Sequence, residues 1–292
     1  MSITTSEIAT QPALWERAIA EADTARGIIG AAGERVLYLG CGTSAYISEA
    51  LAILRERAGL GLSDAAYASE WRPGREYDRV VAVTRSGTTS EILDALALVP
   101  AGVRKTAITG VTDAPIHDVV DDALVLDYAD EQSVVQTRFP TTLLISARTA
   151  FGEDVSALPA AAARILEQPQ DLDVPSLDHF VYLGSSWAYA MAQEAALKIR
   201  EAAQAWSESY PTLDYRHGPI AVAHPGSVVG MFGAAVPELV ADVEATGAVV
   251  RTSDEDPLVQ LVQAHRLAVD VAESRGLDPD EPRALSRSVI LR

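Results

Sequence analysis

The sequence predicts an α/β protein built of two similar domains, and three observations predict it. Its 292 residues are about twice the length of a usual single domain, enough for two hydrophobic cores. Short apolar strands alternate with Gly/Ser turns and Ala-rich helices, the pattern of helix-covered sheets. The two halves also open on nearly the same phrase, VLYLGCGTSAY and FVYLGSSWAY, which suggests a duplication.

In the first half the strands read Val36 to Gly40, Val80 to Thr84, Lys105 to Gly110 and Ala123 to Tyr128. In the second they read Phe180 to Gly184, Ser227 to Gly233 and Ala248 to Thr252. All are nearly continuous apolar runs, as parallel strands buried on both faces require. Ser6 to Ala32 reads as one or two helices with Pro12 just inside a start, and Pro257 to Ser274 as another helix. The domain limits follow: a helical lead-in over 1–34, a first domain over 35–167, a linker over 168–177 and a second domain with its tail over 178–292. The linker carries Pro169, Pro175 and acidic residues without a helical apolar period. The tail PRALSRSVILR is basic and apolar, and is expected to pack back on the body.

Composition narrows the function. With 48% apolar and 22% charged residues the chain has ordinary globular usage. A net charge of −18 argues against a nucleic-acid partner, because phosphate backbones are held by Lys/Arg-rich faces. A small anion held by local donors stays possible. Cys41 is the single cysteine, so neither an intramolecular disulfide nor a CxxC metal or redox site is expected. The start has neither the basic nor the apolar region of a signal peptide, and no apolar run is long enough for a membrane helix. A cytoplasmic protein without a membrane partner is expected.

Two loops could hold an anion. Gly40-Cys41-Gly42-Thr43-Ser44 follows a strand and opens a helix, where backbone N–H groups, glycines and hydroxyls make a cradle. The bland alternative is a tight turn with Ser44 as a helix cap. Thr84-Arg85-Ser86-Gly87-Thr88-Thr89-Ser90 repeats the situation with denser hydroxyls and an arginine for a charge-assisted contact. Here too plain turn and cap chemistry is the alternative. In the second half Glu194, Lys198 and Glu201 share one helix face, either as a solvated salt-bridge stripe or as a face turned into a pocket. His217 precedes a Gly-Pro break; histidine suits proton transfer near neutral pH, and a loop histidine is also commonly structural. His117, His179, His224 and His265 have no neighbouring motif.

Taken together these residues resemble the sugar-isomerase-domain family, most of all the isomerase half of glutamine:fructose-6-phosphate amidotransferases and the stand-alone amino-sugar-phosphate deaminases and isomerases. EIATQP is similar to the family's E-I-x-x-Q-P lead-in, GCGTSAY to its first phosphate loop, and TRSGTTSEI to its S-x-S-G-x-T-x-[DE] loop. EQSVVQTRFPTT stands at its Ser/Thr-rich turn, EAALKIRE resembles E-G-A-L-K-L-K-E, YRHGP resembles L-K-H-G-P, and PRALSRSV resembles P-R-N-L-A-K-S-V. The resemblance runs over nearly the whole chain.

It implies two flavodoxin-like three-layer domains, each with a five-stranded parallel sheet. It implies a phosphosugar aldose–ketose isomerase or deaminase acting on an amino-sugar 6-phosphate. Gly42, Thr43, Ser44, Thr84, Arg85, Ser86, Gly87 and Thr89 would hold the phosphate, with Gln136, Thr137 and Arg287 also binding the substrate. Glu201 would shuttle the proton, Lys198 would favour its ionised form, and His217 would open the ring. The family implies a homodimer with shared active sites, and neither cofactor nor metal. Arg287 stands where the amidotransferases carry a Schiff-base lysine, and an arginine does not form that imine. No glutaminase domain or nucleophilic first-residue cysteine is present, so ammonia from glutamine is not expected and a catabolic direction is favoured. A fructosamine-6-phosphate deglycase and a non-catalytic sugar-phosphate sensor are the alternative readings.

Overall fold

The computed structural model describes residues 1–291; Arg292, the end of the expected tail, lies outside them. The chain divides into two compact units. One comprises Thr10–Gln132, Gln136–Pro159 and the tail from Ser286; the other comprises Met1–Ala9, Ser133–Val135 and Ala160–Leu285.

The first of these is built on five parallel strands, β1 (Val36–Gly40), β2 (Ser63–Tyr67), β3 (Arg79–Val83), β4 (Arg104–Thr109) and β5 (Asp122–Val125), in the order β2-β1-β3-β4-β5. That is the flavodoxin-like order, which reverses direction between β1 and β3. Strands β1 and β3 are buried along their whole length, which is why they read as apolar runs. Their side chains Leu37, Leu39, Val80 and Ala82 pack with Trp71, Ile92 and Leu96 into one core. Burying each large aliphatic side chain contributes about 1.5–3 kcal/mol. Helices α2 (Thr43–Arg57), α3 (Ser90–Ala97) and α4 (Arg138–Ala150) follow β1, β3 and β5.

The other unit carries β6 (His179–Gly184), β7 (Trp206–Pro211), β8 (Ser227–Phe232) and β9 (Val249–Arg251), all parallel, in the order β7-β6-β8-β9. Its helices are α5 (Leu158–Glu167), α6 (Trp187–Ala203), α7 (Pro237–Glu244) and α8 (Pro257–Ser274). The implied second five-stranded sheet is therefore corrected to four strands. After β9 the chain passes through Thr252–Asp256 straight into α8, whose start is fixed by Asp256 accepting from the Leu258 N–H at 2.9 Å. Among the described residues after α8 none forms a fifth strand.

Three expected limits also move. The tail groups with the first sheet, because the Arg287 guanidinium bonds Asp130 and the Leu291 N–H donates to Ser90. The first helical turn groups with the second sheet, because the Asp280 carboxylate accepts from the N–H groups of Ile3 (2.6 Å) and Thr4 (2.8 Å). The 168–177 stretch is no loose connector. Arg266 donates to the Ile165 and Gln168 carbonyls and Arg275 to that of Leu177, fastening α5 and the linker to α8. Pro12 lies inside a continuous α1 (Ile3–Ala20) rather than near a start.

The duplication is visible in the backbone. Gly42 before α2 has φ 54° and ψ −129°, and Ser186 before α6 has φ 57° and ψ −137°. At the preceding strand ends a side chain is impossible: a Cβ on Gly40 would stand 2.2 Å from the Ser44 backbone, and one on Gly184 2.3 Å from the Ala188 carbonyl. Gly42 suits its positive φ, whereas Ser186 is held in a region that costs a side-chain-bearing residue about 1–3 kcal/mol. Ser186→Gly is accordingly expected to raise stability by about 1 kcal/mol, read as a higher urea midpoint at unchanged slope.

Candidate active site

The switch point between β1 and β3 of the first sheet is where an open α/β sheet leaves a crevice at its strand ends. A polar pocket of about 280 Å³ sits there, lined by Cys41 and Ser44 after β1, by Thr84, Arg85, Ser86 and Thr89 after β3, and by Gln136 and Arg287. The structure thus brings both hydroxyl loops to one place. Ser44, Thr84 and Arg85 are buried, so their polar atoms are preorganised. The loop is shaped by Gly87 at φ 66°, where a Cβ would meet the Ala114 side chain at 2.7 Å. The Gly87 N–H donates to Thr84 Oγ1 at 3.2 Å, and the Thr88 N–H to Ser86 Oγ at 3.3 Å. Neither α2 nor α3 has a side-chain cap at its N-terminus. Their first N–H groups carry the positive end of the helix dipole, which favours an anion.

Gly42, Thr43 and Gly87 build these turns without lining the pocket. Thr137 also departs from expectation. Its N–H (2.6 Å) and hydroxyl (2.9 Å) both donate to Glu131 Oε2, and the Arg138 and Phe139 N–H groups bond the same carboxylate. Glu131, unnoticed in the sequence, is the cap of α4, and Thr137 is committed to it. Gln136 does line the pocket, and its buried Oε1 accepts no hydrogen bond from the described residues. A buried acceptor left unmet costs about 1–3 kcal/mol, which a hydroxyl or amine on a ligand would relieve. The Cys41 thiol is pushed up to about 11 by burial and by the charge of Glu91, so it is a wall rather than a nucleophile.

In the other unit α6 carries the charged face. It is not a solvated stripe: Glu194 and Lys198 are buried to 0% and 1% side-chain exposure, and Glu201 retains 19%. Lys198 Nζ stands 3.2 Å from Glu194 Oε1 and 2.5 Å from Glu201 Oε2. Burial pulls the Lys198 ammonium down, and the charges of Glu194 and Glu201 outweigh it, so its pKa is raised. A partly exposed carboxylate held beside a buried ammonium can move a proton while staying in place. Against this cluster α8 packs His265, 1% exposed and with neither ring nitrogen hydrogen-bonded among the described residues. Its place at i, i+3, i+4, i+7 with Leu258, Leu261 and Val262 put it on the apolar stripe, which was the signal that it is buried.

His217 ends the short 3₁₀ helix Thr212–His217 and is exposed, with Gly218 at φ 131° turning the chain. No hydrogen bond or ion pair joins it to Glu201 among the described residues. Among those residues, too, no group of three or more His, Cys, Asp or Glu side chains is placed to hold a metal ion, and no helix is long and apolar enough to cross a membrane.

No protein-family model matches the chain. Its sequence is 27% identical over 97% of its length to the glutamine–fructose-6-phosphate aminotransferase (isomerizing) of Methanothermobacter thermautotrophicus, covering 56% of that protein. It is 28% identical over 88% to the enzyme of the same name from Gloeobacter violaceus, covering 52%. The chain spans about half the length of the curated relatives it matches. In fold it superposes on the crystal structure of glucosamine-6-phosphate deaminase from Thermotoga maritima with a TM-score of 0.86 and 26% identity, covering 99% of this chain and 100% of the other. The chain is related to the sugar-isomerase-domain enzymes. The tagatose-6-phosphate ketose/aldose isomerase of Escherichia coli shares the fold, with a TM-score of 0.76 at 19% identity over 99% of this chain and 96% of that one.

Proposed function

We propose that this protein is a phosphosugar isomerase/deaminase that converts an amino-sugar 6-phosphate and water to a ketose 6-phosphate and ammonia. The observation that carries the reading is the convergence of both hydroxyl loops, with Arg85, on one pocket at the β1/β3 switch point. The full-length kinship to a glucosamine-6-phosphate deaminase supports it.

Ser44, Thr84, Ser86 and Thr89 take the phosphate oxygens, and Arg85 adds a charge-assisted contact. Gln136 Oε1 accepts from a hydroxyl or amine of the sugar. His217 opens the ring. Glu201 takes the proton from C2 of the open-chain amino aldose and returns it to C1, giving a 2-imino compound that water hydrolyses to the ketone and ammonia. Lys198 adds positive charge near the developing oxyanion. Arg287 rules out a lysine imine at its position. The working form is a cytoplasmic homodimer with shared sites.

The test is release of ammonia and ketose 6-phosphate from glucosamine 6-phosphate and galactosamine 6-phosphate, and of the amine and an aldose 6-phosphate from a fructosamine 6-phosphate. Glu201→Gln is expected to lower kcat on the true substrate by about 10²–10⁴-fold while leaving its binding in place. Turnover of the fructosamine alone would make the protein a deglycase. Silence on all three, with sugar phosphate still bound, would make it a sensor.

A further inference from the structure

Asp130 does not line the polar pocket, yet the pocket's cationic wall hangs on it. Arg287 Nη2 donates to both oxygens of the Asp130 carboxylate, at 2.5 and 2.7 Å, and Nη1 donates to the Glu131 carbonyl. The Arg287 carbonyl in turn accepts from Arg85 Nη2 at 2.9 Å. Beyond it the tail runs hydrogen-bonded along the loop after β3. Thr88 Oγ1 donates to Ser288 Oγ at 3.0 Å, the Ser90 N–H to the Val289 carbonyl at 3.2 Å, and the Leu291 N–H to Ser90 Oγ at 3.0 Å.

The space for this arrangement is provided by Gly110. A Cβ there would stand 3.1 Å from Asp130 Oδ1 and 3.4 Å from Arg85 Cγ. Arg85 itself is anchored from behind, its carbonyl accepting from the Gly110 N–H at 3.0 Å and from Thr109 Oγ1 at 3.1 Å. Its backbone is therefore fixed by β4, and its guanidinium by the tail.

We propose that Asp130 is a positioning residue for anion binding: its ion pair with Arg287 fastens the tail along the Thr84–Ser90 loop, and the Arg287 carbonyl then orients the Arg85 guanidinium in the pocket. This rests on the sugar-phosphate reading of that pocket. The sign of the effect separates positioning from bulk electrostatics. Removing a carboxylate near an anion site raises the local potential and by itself tightens anion binding. Loss of positioning weakens it.

The experiment compares the full chain with Asp130→Asn, Arg287→Gln and the double variant. It reads the Kd of glucosamine 6-phosphate and of inorganic phosphate, KM and kcat, and amide exchange at Ser90 without ligand. Asp130→Asn is expected to weaken both ligands about tenfold, to raise KM in step while kcat changes less than about twofold, and to speed exchange at Ser90. The double variant is expected to be no weaker than the worse single, since both break one connection. Unchanged or tighter binding in Asp130→Asn overturns the proposal, as does weaker binding with unchanged exchange at Ser90. Should Asp130→Asn not fold, Arg287→Gln breaks the same bond from its other end and is read by exchange at Ser90, where unchanged exchange overturns the proposal, since losing its own charge from the pocket weakens anion binding in either case. Wild type that binds neither ligand overturns the sugar-phosphate reading and this inference with it. Wild type that binds beside an unaffected Asp130→Asn overturns this inference alone.

Discussion

Lys198→Met is expected to destabilise the protein by about 3–5 kcal/mol, a large fraction of a typical folding free energy. The reason is what the substitution leaves behind. Glu194 is wholly buried, with its Oε1 3.2 Å from the ammonium, so removing Lys198 takes away the cation that offsets a buried carboxylate charge in the packing of α6. Methionine replaces most of the aliphatic stem, so little of the loss would come from packing. Urea unfolding at pH 7 measures it. The double variant Lys198→Met/Glu194→Gln removes both charges and is expected to recover most of the deficit, because a buried pair replaced by neutral groups of similar volume is often close to neutral. A cost below about 1 kcal/mol in the single variant would mean that water reaches the cluster and that the face of α6 behaves as a surface stripe.

That cluster also marks how far the sequence could be read. The central strands β1, β3, β6 and β8, and the inner part of β4, are legible because both of their faces are buried, which forces an apolar run. Strands β2 (SDAAY) and β7 (WSESYP) pass unnoticed for the same physical reason reversed. Each is a polar, half-exposed sheet edge, made a strand by its neighbour's hydrogen bonds rather than by its own composition, whereas the opposite edges β5 and β9 carry enough apolar residues to be read. The phosphate loops are legible as clustered hydroxyls beside glycines. Asp130 and Glu131 are not, since a carboxylate that caps a helix or grips a tail residue more than 150 positions away has the same local sequence as any acidic turn. The face of α6 was legible as a spacing and ambiguous as a burial; its neighbours on α8 decide it.

One of those neighbours gives the protein its expected acid limit. Folded, His265 is pulled down to about 3 by burial and then by the Lys198 charge, whereas in the unfolded chain it titrates near 6.5. Between those two pH values the unfolded chain binds the extra proton, so stability falls as pH falls from about 6.5 toward about 3. From pH 7 to pH 5 this one group accounts for a loss of about 2 kcal/mol, growing by about 1.4 kcal/mol for each further unit. Glu34 and Glu153, whose pKa values are lowered first by their arginine partners, also cost stability in acid, but only as pH falls below their ordinary 4.5. The loss of stability from pH 6.5 to 5 therefore belongs to buried histidine, since Glu49 and Asp270, whose carboxyl pKa values burial raises, act with the opposite sign. His265→Leu removes the titration, keeps the side chain apolar and leaves no buried ring nitrogen unbonded. Its unfolding free energy, measured in urea, is expected to be about 2 kcal/mol less sensitive to the change from pH 7 to pH 5 than that of wild type. Parallel profiles for the two proteins would mean that the imidazole is protonated in the folded state. The neutral ring packed against an ammonium would then be the wrong description of the α6–α8 interface.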